Sequence, residues 1–567
     1  MVASSARRLA SIWGWRTLIL CAVPALIFGL AAYLQKINGP FYLCSNSDPD
    51  YVYLYSSLNL ATGVAPGHTD HPGTTLQIWG AVVLRVVHMF AGQGNLADDV
   101  VAHAEFYLRQ ISFSLMTVYA VSLFFLGWVA RRVFDSWGFA LLAQSMGLVF
   151  PTILACVPRV NSESASLIAS VWLGTAWLSL AYGSPGSRTG WKAPMGFGAV
   201  AATAMVTKLT FAPVLLLGVL LFETWRQRAQ FLAAAAGFFV LLTLPIASHW
   251  GEAARWVWGL AAHRGKYGNG PTALPTAGPL ATWTLDFFNA YPVYFLMLLA
   301  VAGVMALRWL EGRKELMEQS PPGRARALLA MLAFHIAMML MVSLHPDDRY
   351  MVPSFGLIGL TGLVAVDLLR REKLVALPLL VQRAGWVMAA AFFAWQLFFA
   401  MPQFCQKQQT TKEHEFQVAH IVEVLSGKYL VVRCTWSSSP AYAGYLGNVY
   451  AGNRYAVQLA RLYPGFVGLD MGANKYVTFG QVLADADPAS IEHLLHGRVG
   501  VVFQVGLPVY FHYFSVALPP GYWLYPLYGA PGETIYWCGQ EGESGELTQA
   551  AKQIRTILAD EGEGRFP

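Results

Sequence analysis

The sequence predicts a polytopic α-helical membrane protein carrying a C-terminal α/β domain, and three observations predict it. The 567-residue chain is 56% apolar and only 12% charged, with mean hydropathy +0.45, where soluble domains carry roughly a quarter charged residues. Apolar runs of about 17–25 residues, each long enough to cross roughly 30 Å of hydrocarbon, recur as far as residue 402. Beyond that point the composition becomes that of a mixed soluble domain. Two parts follow: a membrane body over 1–402 and a C-terminal domain over 403–567.

Taken in order, 12–34 follows Arg7 and Arg8. Its apolar core is long and lacks a small-residue cleavage site, so it reads as a retained first helix and not as a signal peptide. Next comes "NSDPDYVYLYSSLNLATGVAPGHTDHPGTT" (46–75), a polar stretch with a helix-like run from Tyr51 to Ala61. Residues 73–90 are apolar enough to span but carry Arg85 and His88. Further spans fall near 108–130, 137–155, 164–182, 229–249, 287–307, 327–344, 352–369 and 384–402. Between them, 194–222 forms a pair of short helices turning around Lys208 and Pro213. If that pair enters and returns, there are about eleven transmembrane crossings.

Charge sets the orientation. With 73–90 lying in the interface, eighteen of the 38 Lys and Arg residues fall in inside segments, against eight in or bordering the outside loops. If 73–90 spans instead, fifteen of those inside residues move outside and only six replace them. The positive-inside rule therefore favours the interfacial reading. It places the 46–75 stretch, the loop from Arg159 to Glu163, residues 250–286, the His345–Arg349 turn and the C-terminal domain outside. Acidic residues gather on that side too, eleven against seven inside.

The outside loops carry the candidate chemistry. "SDPD" sets Asp48 and Asp50 two apart around a proline, so that both can project from a rigid extended turn at the start of the helix-like run Tyr51 to Ala61. One Asp there serves as an N-cap; a pair also suits proton transfer or a bound cation. "HTDHPG" offers Asp70 and His71, either as a solvated turn or as site residues. "PRVNSES" places Glu163 at a membrane boundary, where a carboxylate either meets the positive end of a helix or faces a polar partner. Lys208, inside "MVTKLTFAPV", needs a carboxylate, an anionic ligand or a route to the interface. "HPDDRYMVP" packs His345, Asp347, Asp348, Arg349 and Tyr350 into one turn, where Arg349 either pairs with its own aspartates or serves a ligand. "AAHRGKYGNG" brings Arg264, Lys266 and three glycines together, as a solvated loop or an anion-binding segment. Collected, these residues describe a cavity at the outer surface with carboxylates on one side and Arg, Lys and His on the other. That pattern suits a base-assisted reaction on a phosphate-bearing, lipid-anchored substrate.

In the order of these motifs the sequence resembles the GT-C integral-membrane glycosyltransferases, the group that includes protein O-mannosyltransferases and the lipid A aminoarabinose transferase. The resemblance covers about residues 10–400 and rests on short motifs and their order. It implies a GT-C-like fold with interfacial helices in the first outer loop. Asp48 to Gly63 resembles the acidic first-loop motif with its catalytic aspartate; the family often has an adjacent Asp-Glu pair, here interrupted by Pro49, so the choice between Asp48 and Asp50 stays open. Asp70-His71-Pro72 looks like the entry to the second interfacial helix, with His71 in place of a lysine and its charge dependent on pH. Glu163 matches the second acidic site, Lys208 the mid-membrane lysine, and Arg349-Tyr350 with Pro353 the late turn near the donor phosphate.

The resemblance implies a polyprenyl-phosphate-linked sugar donor and inverting transfer by direct displacement to a glycan, lipid or protein acceptor, outside the plasma (inner) membrane. Asp48 or Asp50 is then the base, Glu163 or Asp70 orients it or shares a divalent cation, and His71, Lys208, Arg264, Lys266, Arg349 and Tyr350 serve the phosphate. Closely spaced aspartates suit Mg²⁺ or Mn²⁺; the metal is left open, with Asp48 and Asp50 as its ligands if there is one.

The C-terminal domain reads as α/β from strand-like "KYLVVRC" and "RVGVVFQV", helix-like "RYAVQLARLYPG" and "PASIEHLLHG", and a final helix from about Glu546. It shows no nucleotide loop, metal cluster or triad. Six cysteines are too few for a disulfide framework; Cys405, Cys434 and Cys538 allow one bridge in this domain. No basic nucleic-acid patch is present. The alternative reading is a transporter or flippase of lipid-linked or anionic substrates, which should show paired broken helices in two related halves; only 194–222 reads as one.

Overall fold

The computed structural model describes residues 15–563 apart from 71–72, 184–189, 264–276, 311–321, 346, 372–378, 471–472, 496–499, 507–517, 519–520, 531 and 541–543. The chain divides into two compact units, the first of Met1–Leu34, Thr69–Ile78 and Ser112–Pro402, the second of Gln35–His68, Trp79–Ile111 and Gln403–Pro567. A division after Pro402 thus falls where the composition changes. The first outer loop, adjacent to the membrane spans in sequence, groups with the C-terminal region except for Thr69–Ile78, which groups with the spans.

The helices up to the sheet are α1 (Trp15–Ile37), α2 (Cys44–Ala61), α3 (Thr74–Ala91), α4 (Leu96–Ala102), α5 (Ala104–Phe134), α6 (Trp137–Ser145), α7 (Pro151–Cys156), α8 (Ser162–Tyr182), α9 (Lys192–Thr207), α10 (Val214–Leu221), α11 (Trp225–Thr243), α12 (Trp250–Ala262), α13 (Ala277–Ala290), α14 (Pro292–Leu310), α15 (Pro322–Val342), α16 (Val352–Arg371), α17 (Leu379–Trp395) and α18 (Met401–Ser426). Among the described residues nine helices are long and apolar enough to cross a membrane, α3 included. The expected eleven crossings differ from this count at identifiable places. The 137–155 span is interrupted: α6 ends in a 3-10 turn, Phe150 is extended, and Pro151 opens the short α7. Among the described residues, 137–155 is thus a broken element in addition to 194–222, the one the sequence showed. The 194–222 pair is seen as α9 and α10, each too short to span alone. The last span does not stop at 402 but runs through a π turn into α18, to Ser426.

Local chemistry explains the helix starts. Thr224 and Gln227 form a reciprocal capping box ahead of α11, each side chain accepting from the other's backbone N–H at 3.2 Å. Asn161 caps α8 by accepting from Ser164 N at 2.9 Å. One set of polar groups inside the apolar first unit is matched internally. Buried His335 bonds Ser354 Oγ at 2.6 Å and Thr361 Oγ1 at 3.0 Å, and Ser354 meets Tyr294 Oη at 2.8 Å, as polar groups without water require.

In the second unit, β1 (Leu430–Cys434), α19 (Pro440–Tyr450), α20 (Ala456–Leu462), β2 (Val467–Asp470), β3 (Lys475–Thr478), β4 (Gln481–Asp485), α21 (Pro488–Leu495), β5 (Val501–Gly506), β6 (Tyr522–Ala530), β7 (Glu533–Gln540) and α22 (Ser544–Glu563) follow one another. They build a seven-stranded sheet of order β4-β3-β2-β1-β5-β7-β6. β1 is parallel to β2 and β5, with Val432 opposite Val467 and Phe503; the remaining pairs are antiparallel. One face is covered by α18 and α22 through Val418, Ile421, Leu425, Ala550 and Ile554. None of the six cysteines is in a disulfide, Cys434 and Cys538 being packed in the core of the other face, so the single bridge that sequence allowed is not formed.

Glu533 at the start of β7 is fully buried; its Oε1 accepts from Ser438 N and Gln504 Nε2, both at 2.7 Å, while Oε2 has no partner. Burial pushes its carboxyl up to about 8, against the lowering effect of these hydrogen bonds. An acid whose pKa is raised on folding holds a proton that the unfolded chain has lost. Stability therefore falls as pH rises from the ordinary 4.5 to about 8, by at most about 1.4 kcal/mol per pH unit. Hydrogen exchange of β5 and β7, corrected for intrinsic rates, should show protection declining over that window in the native chain and no such decline in Glu533→Gln. An identical decline in the variant would remove Glu533 as its source.

Candidate functional site

Lys208 organises the first unit. It ends α9 in an extended conformation (φ −160°, ψ 128°), which breaks the helix before a 3-10 turn at Leu209–Phe211 and the Pro213 start of α10. At 1% exposure its side chain lies wholly inside. Its ammonium donates to Glu163 Oε1 in a buried ion pair, and it stands 4.6 Å from the centre of the Tyr350 ring. Glu163 sits in the first turn of α8, where the helix dipole favours its charge, and Ser162 Oγ donates to its Oε2 at 3.1 Å. Both readings of Glu163, helix start and ion pair, are thus realised together.

Arg349 stands near the same ring, its guanidinium carbon 5.4 Å from the ring centre. Tyr350 therefore relates two cations through its π system. Arg349 is also paired within its own turn: Nε donates to Asp347 Oδ2 at 2.7 Å, and Asp347 Oδ1 accepts from Arg349 N at 3.1 Å. The neighbouring Asp348 accepts from Tyr291 Oη at 2.9 Å. Arg159, Glu163, Lys208 and Arg349 all lie within electrostatic reach of Cys156 on α7. "PRVNSES", the mid-membrane lysine and "HPDDRYMVP" are therefore gathered into one cluster.

Residues 73–75 reach the same neighbourhood. Gly73 N donates to Val206 O at 2.9 Å and Thr75 Oγ1 meets Thr207 Oγ1 at 2.7 Å, bringing Gly73 and Thr75 alongside the residues preceding Lys208; Asp70 is half-buried. His71, Arg264 and Lys266 lie outside the described residues.

Asp48 and Asp50 belong to the second unit. α2 is two helical pieces across a kink at Asp48 (φ −106°, ψ 118°), with Pro49 opening the second piece, as its fixed φ suits. The two carboxylates are not equivalent. Asp48 is exposed and accepts from Trp436 Nε1 at 3.4 Å, whereas Asp50 is fully buried. The expectation that both project from the turn is corrected here, because the residue after the proline turns into the helix's packed side. The segment is held firmly: Glu105 accepts from Phe41 N at 2.9 Å, Tyr42 N at 3.1 Å and Tyr51 Oη at 2.9 Å. Lys412 donates to Asn46 Oδ1 at 2.8 Å and Glu415 Oε2 at 3.1 Å. α2 packs closely on α19, where a Cβ at Gly447 would come within 2.7 Å of Tyr51 O. Among the described residues no group of three or more His, Cys, Asp or Glu could hold a metal.

Sequence reasoning missed Glu105, Trp436 and the aromatic wall beside the Arg349 turn, where Phe150 stacks on Phe355 at 4.5 Å and Tyr291 meets Phe355 at 4.8 Å. In sequence these are ordinary helix and loop residues, and only their convergence distinguishes them.

No family model and no curated protein matches the chain. Among solved structures it is similar to ArnT from Cupriavidus metallidurans bound to undecaprenyl phosphate, at 14% identity and TM-score 0.47, over 92% of this chain and 98% of that one. It is also similar to the archaeal oligosaccharyltransferase AglB from Archaeoglobus fulgidus in complex with an inhibitory peptide and a dolichol-phosphate, at 12% identity and TM-score 0.45, over 96% and 78%. At TM-scores below 0.5 these are likenesses only, and the functional reading rests on this chain's own residues.

Proposed function

We propose that this protein is a membrane glycosyltransferase that moves a sugar from a polyprenyl-phosphate carrier to an acceptor hydroxyl or similar nucleophile on the extracytoplasmic side, with inversion. The observation that carries the reading is the buried Lys208, set against Glu163 and Tyr350 beside Arg349 in an apolar unit. A lysine so placed is costly to retain for stability alone. Beside an aromatic wall, it suits an amphipathic substrate with an anionic head and an isoprenoid tail.

In the step proposed, the acceptor oxygen attacks the anomeric carbon, the bond from that carbon to the phosphate oxygen breaks, and the lipid phosphate leaves. Lys208 and Arg349 offset the charge growing on that phosphate. His71, Arg264 and Lys266 are proposed to assist them. Asp48, the solvent-open member of its pair, takes the acceptor's proton. Asp50 and Asp70 are assigned positioning roles, and no step is routed through a metal.

The transporter reading gains nothing from the second broken element. Between the interruptions at 146–150 and 208–213 lie only α7, α8 and α9, so the two do not occupy matching places in two halves. Inactivation of the protein in cells should leave a polyprenyl-phosphate-linked sugar accumulating, read by mass spectrometry of extracted lipids. Cysteines placed at exposed Gln93 and Lys552 should react with an impermeant maleimide added to intact cells. An unchanged lipid pool would remove the transfer reaction, and protection of either cysteine would remove the sidedness.

A further inference from the structure

The second unit contains a cavity of about 890 Å³, toward the upper end of the roughly 300–1,000 Å³ typical of small-molecule sites. None of the catalytic roles assigned above uses it. Its walls include the rings of Tyr42, Phe416, Tyr463 and Phe466, with Arg433 and Glu423 among its polar residues. The aromatic side is set by packing: Phe466 stacks on Phe479 at 4.6 Å and meets Tyr445 at 5.7 Å, and Tyr463 lies 6.4 Å from Phe479.

Arg433 is the unexplained group. It projects from β1 between buried Val432 and Cys434, and its Nε is buried without a hydrogen-bond partner. No carboxylate lies within ion-pair distance among the described residues, and Glu423 acts on it only from farther away. Partial burial depresses the guanidinium's affinity for its proton, which marks the cost of drawing this charge away from water. A planar group with five donors, held at the wall of a roomy cavity, matches a carboxylate or phosphate in bidentate geometry. Flat aromatic faces beside it suit the C–H faces of a pyranose ring, and their hydroxyls suit its polar edge.

We propose that this cavity binds an anionic saccharide, a sugar bearing a carboxylate or a phosphate, with Arg433 on the anion and Tyr42 and Tyr463 against the sugar. Its assignment as the acceptor's recognition site rests on the glycosyl-transfer reading; the binding itself does not.

The test is isothermal titration of the full chain in uncharged detergent with glucuronate, glucose 6-phosphate, inorganic phosphate and glucose. Glucuronate or glucose 6-phosphate should bind at least tenfold tighter than glucose, the tighter of the two naming the anion. Arg433→Gln should abolish that preference, Arg433→Lys should keep part of it, and Tyr463→Ala should weaken the sugars more than inorganic phosphate. Failure of both anionic sugars to bind, an Arg433→Gln variant that binds them as the native chain does, or inorganic phosphate binding as tightly as glucose 6-phosphate would each overturn the proposal. Arg433→Gln should leave polyprenyl-phosphate binding intact. The double variant Lys208→Met, Glu163→Gln should lose polyprenyl-phosphate binding and keep the sugar response, so the two readings fail separately.

Discussion

Asp48→Asn should lower turnover about 10²–10⁴-fold, the usual contribution of a general base, while protein level and donor binding persist. Asparagine keeps the size of the side chain and still accepts from Trp436 Nε1, which lies 3.4 Å from Asp48 Oδ2, but cannot take a proton. An Asp serving only as a helix cap would tolerate the change, since Asn caps nearly as well. Asp50→Asn should behave differently. Asp50 is fully buried, so its replacement should act through stability and expression, with turnover per folded molecule changed less than for Asp48→Asn. Rates normalised to folded protein separate the two. Full activity in the Asp48→Asn, Asp50→Asn double variant would leave "DPD" as a structural turn.

Lys208→Met should destabilise the first unit and abolish donor binding together. Removing the ammonium takes the ion pair away from Glu163, a carboxylate only 4% exposed. Breaking a buried pair from one side typically costs about 3–5 kcal/mol. The thermal midpoint in detergent should fall accordingly. Replacing both partners, as Lys208→Met with Glu163→Gln, removes the stranded charge, and stability should largely return. Affinity for polyprenyl phosphate should not return, because the cation is still missing. Recovery of both would make the pair purely structural; recovery of neither would point to a folding role that the ion pair alone does not explain.

The membrane helices, the strands at Leu430–Cys434 and Val501–Gly506 and the final helix were legible from sequence because they rest on local pattern: long apolar runs, short runs of β-branched residues, and a polar helical tail. β2, β3, β4, β6 and β7 were not legible. They are short or rich in aromatic, polar and glycine residues, and their stability comes from cross-strand neighbours. The interruption at 146–150 was equally hidden, since apolar composition is the same for a straight and a broken helix. Among candidate residues, Lys208 announced itself, because a lysine in an apolar run demands a partner. That the partner is Glu163, 45 residues earlier, and that Tyr350 and Arg349 complete the group was decided by tertiary packing alone. The sequence by itself determined which residues need explaining, through the cost of charge in an apolar medium. Only the folded chain decided which of the two aspartates flanking Pro49 faces solvent and that Arg433 Nε stands at a cavity wall without a partner among the described residues, because burial and pairing depend on segments far apart in sequence meeting in space.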